Sequence, residues 1–405
     1  MNTLWKNDES QLICTVSNGT EVRGYVVIDS IIGGHSLGGL RMLPDVDEAE
    51  IRALAHTMTL KYGFLGLPHG GAKAGVRGDP EAPQTEREQN LTEFARAIAP
   101  LLRSRIYMPG PDMGTTNDDI RCLFKAANVR IKRRELHGTR SGYYTALTVF
   151  EGVKQAVRHL GIALSGCRVA IEGFGKVGSA LMDLLIAAGA RVVAISTSKG
   201  AIFNPKGLDG NRLKVLASSA GSGVVDHYSE AERLESAELL ELPVDVLCPC
   251  ARHNSVHNDN APRIAARIIC PGANNPITPE AEQVLFDRGV LSLPDFVTNC
   301  GGVLGGTMEF ASLSAEKIAS FVDRQIGERI ARILSEAARK HLPPREIAIP
   351  LALRRFRQVQ QGSVHPTLCR HVFGAGLEFY RRGWIPGFVV AALSLPYFKR
   401  TIAQD

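Results

Sequence analysis

No long run of one character interrupts the chain, and each missing run removes a class of function. The opening stretch MNTLWKNDES has no apolar signal segment, so a cytoplasmic location is the default expectation. The longest late apolar run, residues 387–395, is too short to span a bilayer, and no membrane partner is expected. The net charge is +6, but the basic residues are dispersed. The densest run, Lys132-Arg133-Arg134, is followed at once by Glu135 and reads as solvated surface, not a nucleic-acid footprint. The eight cysteines are scattered. Cys248-Pro-Cys250 is too closely spaced for a zinc pair and has no second pair, so free thiols and no metal site are expected. No internal repeat is evident. What remains, with 44% hydrophobic and 22% charged residues in 405, is an ordinary globular composition with room for two or three domains.

Against that even background, residues 67–80 stand out, LPHGGAKAGVRGDP. Lys73 is framed by Gly70, Gly71 and Gly75, and glycine lets other groups approach the backbone closely. A lysine held in such a cleft loses hydration and can act as a base near neutral pH. Taken alone, the motif fits equally a glycine-rich turn carrying a solvated lysine.

Upstream, residues 11–32 alternate polar and apolar and predict paired strands. A glycine-rich turn is expected over residues 33–39, and Asp45 and Glu48 have capping-box spacing ahead of a helix. Ile51, Leu54, Met58 and Lys61 mark that helix's inner stripe. Lys61 fits either a snorkelling side chain or a site residue. Residues 86–104 predict another helix, followed by Asp112 in the Pro- and Gly-rich loop of YMPGPDMGTTND. Asp112 fits a turn aspartate as well as an acid beside two lysines.

After Arg140 a helix is expected over residues 144–160, then strand (169–171), glycine turn, helix and strand (192–196). Gly173-Phe174-Gly175-Lys176-Val177-Gly178 sits between strand and helix, where a dinucleotide's pyrophosphate meets a helix N-terminus. NAD or NADP is the expected cofactor. The acid that would hold free ribose hydroxyls is missing, since none occurs between Arg191 and Leu208; Thr197 and Lys199 lean towards the 2′-phosphate of NADP. Strands over 244–248, 268–270 and 290–293 each end in a polar turn, which brings Asn274 and Asn299 to the nicotinamide side of an open sheet. An amphipathic helix is expected over residues 315–339, and an apolar tail over 368–398.

The pieces MTLK, LPHGGAKAGVRGDP, GPDMGTT, GFGKVG, PGANNP and TNCGGV follow one another over residues 20–340. Together they resemble the Glu/Leu/Phe/Val amino-acid dehydrogenases. The resemblance implies a two-domain α/β protein: an N-terminal α/β substrate-binding and catalytic domain (1–140), a Rossmann-like NAD(P)-binding domain (141–330), and C-terminal helices (331–405) returning to the first domain or packing on a partner subunit. The active site would lie in the cleft between the domains of a homo-oligomer. Lys61 would bind the substrate α-carboxylate, Lys73 would activate water and Asp112 would carry protons. Asn299 would hold the amino group, and Thr145 and Asn274 would join the cofactor contacts. The reaction implied is oxidative deamination of an L-amino acid to its 2-oxo acid and ammonia, or the reverse.

Departures from the family pattern carry information. Glutamate-specific members have a lysine where this chain has Leu37, and a serine where it has Gly306. Both would-be partners of a side-chain carboxylate are missing, and an unpaired buried carboxylate costs several kcal/mol. A pocket lined by Leu37, Gly38, Met58, Val303 and Gly306, made roomy by Gly110, Gly305 and Gly306, is therefore expected to take a branched-chain or aromatic amino acid. Lys176 stands where the family usually has asparagine, and Thr197 replaces the ribose acid. Two alternatives stay open: the same chemistry on glutamate or a non-proteinogenic amino acid, and a silent nucleotide-binding regulator. The retained Lys61, Lys73 and Asp112 argue against silence.

Overall fold

The computed structural model describes residues 11–19, 21–131, 140–364 and 376–403. The expectations made for the first ten residues, for Lys132-Arg133-Arg134 and for Cys369 lie outside the described residues. The other seven cysteines are free thiols. Two compact units emerge: one from the described parts of Met1–Thr139, Phe310–Ser312 and Leu351–Asp405, the other from Arg140–Glu309 and Leu313–Pro350.

The first unit is built on a five-stranded sheet ordered β1-β2-β4-β3-β5. Its strands are β1 (Leu12–Asn18), β2 (Glu21–Ile28), β3 (Ser36–Leu43), β4 (Gly70–Arg77) and β5 (Tyr107–Pro111). Two expectations need correction here. The glycine turn ends at His35, and Gly38 and Gly39 belong to β3; a Cβ on Gly38 would sit 1.6 Å from the Ala72 carbonyl oxygen. Lys73, likewise, lies in the central strand and not in a loop.

Strand alternation sorts β4 into two faces. Ala72, Ala74 and Val76 enter a core with Leu91, Phe94, Tyr107, Ile120 and Leu123. Each fully buried Val, Leu, Ile or Phe among them contributes about 1.5–3 kcal/mol. Gly71, Lys73 and Gly75 face the other way, towards helix α1 (Glu48–Leu65). The glycines make that approach possible, since a Cβ on Gly71 would fall 2.2 Å from the Thr59 amide nitrogen. α1 is capped by Asp47, whose side chain accepts from the Glu50 amide, so the cap lies two residues beyond the expected Asp45. The single helix expected over 86–104 is two, α2 (Gln84–Ala97) and α3 (Ala99–Arg103). Pro100, in the first turn of α3, lacks the amide that would continue α2. α4 (Asn117–Ala126) starts on a Thr116/Asp119 capping box.

C-terminal segments complete this unit. Arg355, on the helix Pro344–Val364, donates to the carbonyls of Phe64 and Thr401, tying the last helix Gly387–Ala403 to the end of α1. Tyr380 donates to the Phe310 carbonyl at 2.5 Å.

The second unit carries a seven-stranded sheet, β12-β11-β10-β6-β7-β8-β9. The parallel part comprises β6 (Arg168–Glu172), β7 (Arg191–Thr197), β10 (Val246–Pro249), β11 (Ile268–Ile269) and β12 (Leu291–Ser292). β8 (Gly200–Phe203) and β9 (Glu232–Leu234) add an antiparallel edge. α5 (Ser141–His159) leads into β6, and α6 (Lys176–Ala187) joins β6 to β7. This is the doubly wound arrangement that the strand–glycine turn–helix pattern predicts. The helix expected over 315–339 is interrupted by a π-turn at Val322–Ile326, beside Gly327, where a Cβ would fall 2.5 Å from Glu151 Oε1. No described helix is long and apolar enough to cross a membrane.

Candidate active site

Lys73 projects from the middle of β4 and is 2% exposed. Its Nζ lies 2.6 Å from Asp112 Oδ2, one residue past the end of β5. Strand β3 separates β4 from β5, and the two side chains meet over Gly39. A Cβ there would lie 2.7 Å from Asp112 Cβ and 3.2 Å from Lys73 Nζ. The Asp112 backbone is pinned by Thr115, whose hydroxyl accepts from the Asp112 amide at 2.9 Å and donates to the Leu40 carbonyl at 2.7 Å.

Arg41 completes the group. Its Nε donates to Asp112 Oδ2 at 3.2 Å, and its Nη1 donates to Glu50 Oε1. Burial pushes the Lys73 amine below its ordinary range; the Asp112 carboxylate opposes this, and the Arg41 cation adds to it. The cation that depresses Lys73 most is thus Arg41. Burial would raise the Asp112 carboxyl, but the charges and hydrogen bonds of Lys73 and Arg41 outweigh it and hold it well below the usual carboxylate range. The result is an ionised acid touching an amine that gives up its proton unusually easily.

α1 carries Lys61 and Met58, both buried. Its position against β4 is fixed two residues earlier. Thr59 donates to Asp29, its hydroxyl lies 2.6 Å from that of Ser30, and Ser30 Oγ accepts from the Gly71 amide at 2.8 Å. On β3, Leu37 pairs with Gly71 of β4 and Met108 of β5, so it shares the sheet face of Lys73. Leu37 is half-buried and Gly38 is buried. Lys61, Lys73, Asp112, Leu37, Gly38 and Met58 all belong to the first unit.

The nucleotide turn belongs to the second unit. Gly173 has φ +94°, a left-handed conformation that favours glycine. A Cβ on Gly178 would fall 2.0 Å from the Gly173 carbonyl oxygen, so this residue too must stay bare. A Cβ on Gly175 would meet nothing within 4 Å, so the N-terminus of α6 opens onto free space. Phe174 and Val177 are half-buried and Lys176 is exposed beside it. These residues fit a dinucleotide pyrophosphate at the helix start. Ser196 Oγ accepts from the Gly173 amide at 3.0 Å and holds the turn. Thr197 donates to the Ser222 carbonyl and accepts from the Lys199 amide, and Arg233 donates to the Lys199 carbonyl.

Asn299 is 3% exposed; its Nδ2 donates to the Ala273 carbonyl at 2.8 Å and to Asn274 Oδ1 at 2.9 Å. Its own Oδ1 is buried without a partner among the described residues. Thr145, on α5, donates to the Ser141 carbonyl and lies against Gly302. Val303 and Gly306 are half-buried on the helix Gly301–Phe310. Gly305 of that helix leaves no room: a Cβ there would fall 2.2 Å from the Tyr144 ring, so this glycine serves packing against α5. Gly110, in contrast, faces open space.

Comparison with known proteins gives the family. The family model described as Glutamate/Leucine/Phenylalanine/Valine dehydrogenase matches residues 139–361, and the one described as Glu/Leu/Phe/Val dehydrogenase, dimerisation domain, matches residues 9–128. The chain belongs to the Glu/Leu/Phe/Val dehydrogenase family. As a member, it is an NAD(P)-dependent amino-acid dehydrogenase. An NAD-specific glutamate dehydrogenase of Staphylococcus aureus is 36% identical over 292 residues, 69% of this chain and 70% of that one. The hetero-hexameric glutamate dehydrogenase of Thermus thermophilus, solved in a Leu-bound form, superposes with a TM-score of 0.73 at 27% identity, covering 87% of this chain and 89% of that one. The L-tryptophan dehydrogenase of Nostoc punctiforme superposes with a TM-score of 0.59 at 25% identity, covering 86% and 96%.

Within this Glu/Leu/Phe/Val dehydrogenase, sequence reasoning passed over Arg41 and Glu50. Arg41 reads as one more strand residue, and Glu50 as an ordinary acid in a helix's first turn. No local sequence signal marks them: the β3–β4 register, seen only in the fold, sets Arg41 opposite Gly75 and two residues along the face from Gly39.

Proposed function

We propose that this dehydrogenase deaminates an apolar, branched-chain or aromatic L-amino acid to its 2-oxo acid and ammonia, and runs the reverse reductive amination. The observation that carries the reading is Leu37. It shares the face of Lys73, and it puts an uncharged side chain where a second substrate carboxylate would need a cation.

The first unit is assigned the carboxylate anchor and the acid–base pair, the second the cofactor and the substrate contacts of Asn299, Val303 and Gly306. Lys61 binds the α-carboxylate. Lys73, neutral, takes a proton from the water that attacks the imine carbon. Asp112, in contact with Lys73, carries protons to and from the substrate nitrogen. Asn299, whose Oδ1 is unsatisfied, accepts a hydrogen bond from the amino group. Met58 and Val303 supply apolar surface, Gly38 lets β3 lie close to β4 beside them, and Gly306 withholds the hydroxyl that a carboxylate would use. A dinucleotide held at this turn would supply the hydride acceptor for the substrate Cα.

For the cofactor, Gly173, Phe174, Gly175, Lys176, Val177 and Gly178 form the phosphate turn, with Thr145 and Asn274 on the nicotinamide side. Thr197 and Lys199 at the end of β7 favour the 2′-phosphate of NADP, because no acid lies between Arg191 and Leu208; Arg233 of β9, which donates to the Lys199 carbonyl, is already paired with Asp226 at 2.9 Å. The working protein is a homo-oligomer, which sedimentation of the purified chain tests.

Glutamate is the competing substrate, favoured by the names of the relatives about a third identical. A steady-state panel of amino acids and 2-oxo acids with ammonia, run separately with NADH and NADPH, decides both questions. Leucine, phenylalanine or tryptophan turned over well ahead of glutamate supports the apolar reading. Glutamate ahead of them sinks it.

A further inference from the structure

Four charged groups of alternating sign form a line across the first unit: Glu50, Arg41, Asp112 and Lys73. Asp112 takes part in two links, to Lys73 at 2.6 Å and to Arg41 Nε at 3.2 Å. The outer link, Arg41 to Glu50, is the most buried: the two side chains are 4% and 3% exposed. A buried ion pair is weak evidence for stability, since the desolvation of both charges offsets most of the attraction. What the pair does achieve is geometric. Arg41 Nε and Nη1 reach different carboxylates, so Glu50 orients the guanidinium that Asp112 leans on.

We propose that Arg41, oriented by Glu50, is a positioning residue that fixes Asp112 against Lys73 and sets the pH at which Lys73 becomes a base. The inference rests on the reading of Lys73 and Asp112 given above and adds the two residues that tune them. Asp112 follows the last residue of β5 and has a side chain 21% exposed; Thr115 pins its backbone, and Lys73 and Arg41 are the partners of its carboxylate. Lys73 alone would draw the carboxylate into a simple pair; Arg41 gives it a second anchor from β3.

Arg41 and Glu50 act on Lys73 in opposite senses. The Arg41 cation disfavours the protonated amine, and the Glu50 anion favours it. Of the other groups nearby, two are tyrosines whose shifts keep them protonated. Tyr107, on β5, is raised by burial and by Asp112; Tyr62, on α1, is raised by burial, so both stay neutral. Lys61, also on α1, is unchanged in the variants below.

The experiment is the pH profile of kcat/KM for oxidative deamination in the full chain, for wild type, Arg41→Gln, Glu50→Gln, Arg41→Lys and Lys73→Ala, with thermal melts alongside. Arg41→Gln should move the rising limb to higher pH by about one unit, and Glu50→Gln should move it to lower pH by up to about one unit. A purely structural pair would lower melting temperature and activity in both variants while the limb stays in place. Such a result overturns the proposal. If Arg41→Gln does not fold, Glu50→Gln and Arg41→Lys decide: the first limb must still move down. The second must stay close to wild type while kcat falls about tenfold, since the cation is kept and the two-carboxylate fork is lost. Lys73→Ala separates the two levels of inference. Turnover retained there overturns the base assignment itself; an inactive Lys73→Ala with unmoved limbs overturns only the role of Arg41 and Glu50.

Discussion

Lys73 Nζ and Asp112 Oδ2 stand 2.6 Å apart although their strands are not neighbours, because Gly39 of the intervening strand has no side chain to keep them apart. The first prediction follows from that gap. Gly39→Ala would place a Cβ 2.7 Å from Asp112 Cβ, closer than such atoms approach, and the carboxylate must move. A displacement of about 1 Å in a catalytic pair costs up to about 10²-fold in rate. The variant should lose 10- to 100-fold in kcat, as a rough range from the same principle, while cofactor affinity measured by nucleotide fluorescence stays at the wild-type value. An unchanged kcat would mean the contact does not matter to the reaction.

Replacing either partner outright should be more severe. Lys73→Ala is expected to lower kcat by about 10²–10⁴-fold, the usual contribution of a positioned base. Cofactor binding should survive, because the phosphate turn lies in the other unit. Asp112→Asn should also lower kcat. It removes the anion that favours protonated Lys73, so the remaining activity should rise at lower pH than in wild type. A residual limb displaced to higher pH would contradict the charge arrangement.

The sequence made the second unit legible because its signals are local. Strand, Gly173-x-Gly175-x-x-Gly178, helix and strand follow one another within about thirty residues, the span of such a unit, and Gly178 is kept bare by the carbonyl of Gly173 in the same turn. In the first unit Lys61, Lys73 and Asp112 could be named, but their surroundings could not. Gly38 and Gly39 read as a turn, since the pressure that makes them glycine comes from Ala72 and Asp112, thirty and seventy residues away along the chain in round terms. Arg41 and Glu50 were hidden for the same reason: their meaning lies in the strand register and in the docking of α1, neither of which has a period in the sequence. Gly305 misled in the opposite direction, a bare position that a neighbouring tyrosine ring fills.

Side-chain specificity should respond to Leu37. Leu37→Lys places an ammonium on the face shared with Lys73 and Arg41, where a second substrate carboxylate could pair with it. Loss of apolar contact and burial of a charge together should cut kcat/KM for leucine by about 10- to 100-fold. Glutamate should gain by about tenfold, and adding Gly306→Ser should increase the gain. Measured with both substrates on the same preparation, the ratio is independent of how much of the variant is folded. A leucine-to-glutamate ratio that does not fall would remove Leu37 from the pocket.

The last prediction concerns stability and a carboxyl outside the proposed proton path. Glu172 ends β6 next to Gly173, is 9% exposed, and accepts a hydrogen bond from Ser255. Burial pushes its carboxyl up to about 7 from an ordinary 4.5, against the smaller opposing effect of Ser255. A carboxyl with a raised folded-state pKa binds more protons folded than unfolded between those two values, so folding stability falls as pH rises through that window. The contribution is complete below about pH 4.5 and gone above about pH 7. At 1.36 kcal/mol per unit the span is on the order of 3 kcal/mol. Glu172→Gln keeps the shape and the acceptor for Ser255 but cannot ionise. Urea denaturation at pH 5 and pH 8 should therefore show wild type losing stability relative to Glu172→Gln as pH rises, and the gap should open between those values. Equal losses in the two proteins would place the Glu172 carboxyl in contact with solvent, ionised on both sides of the window.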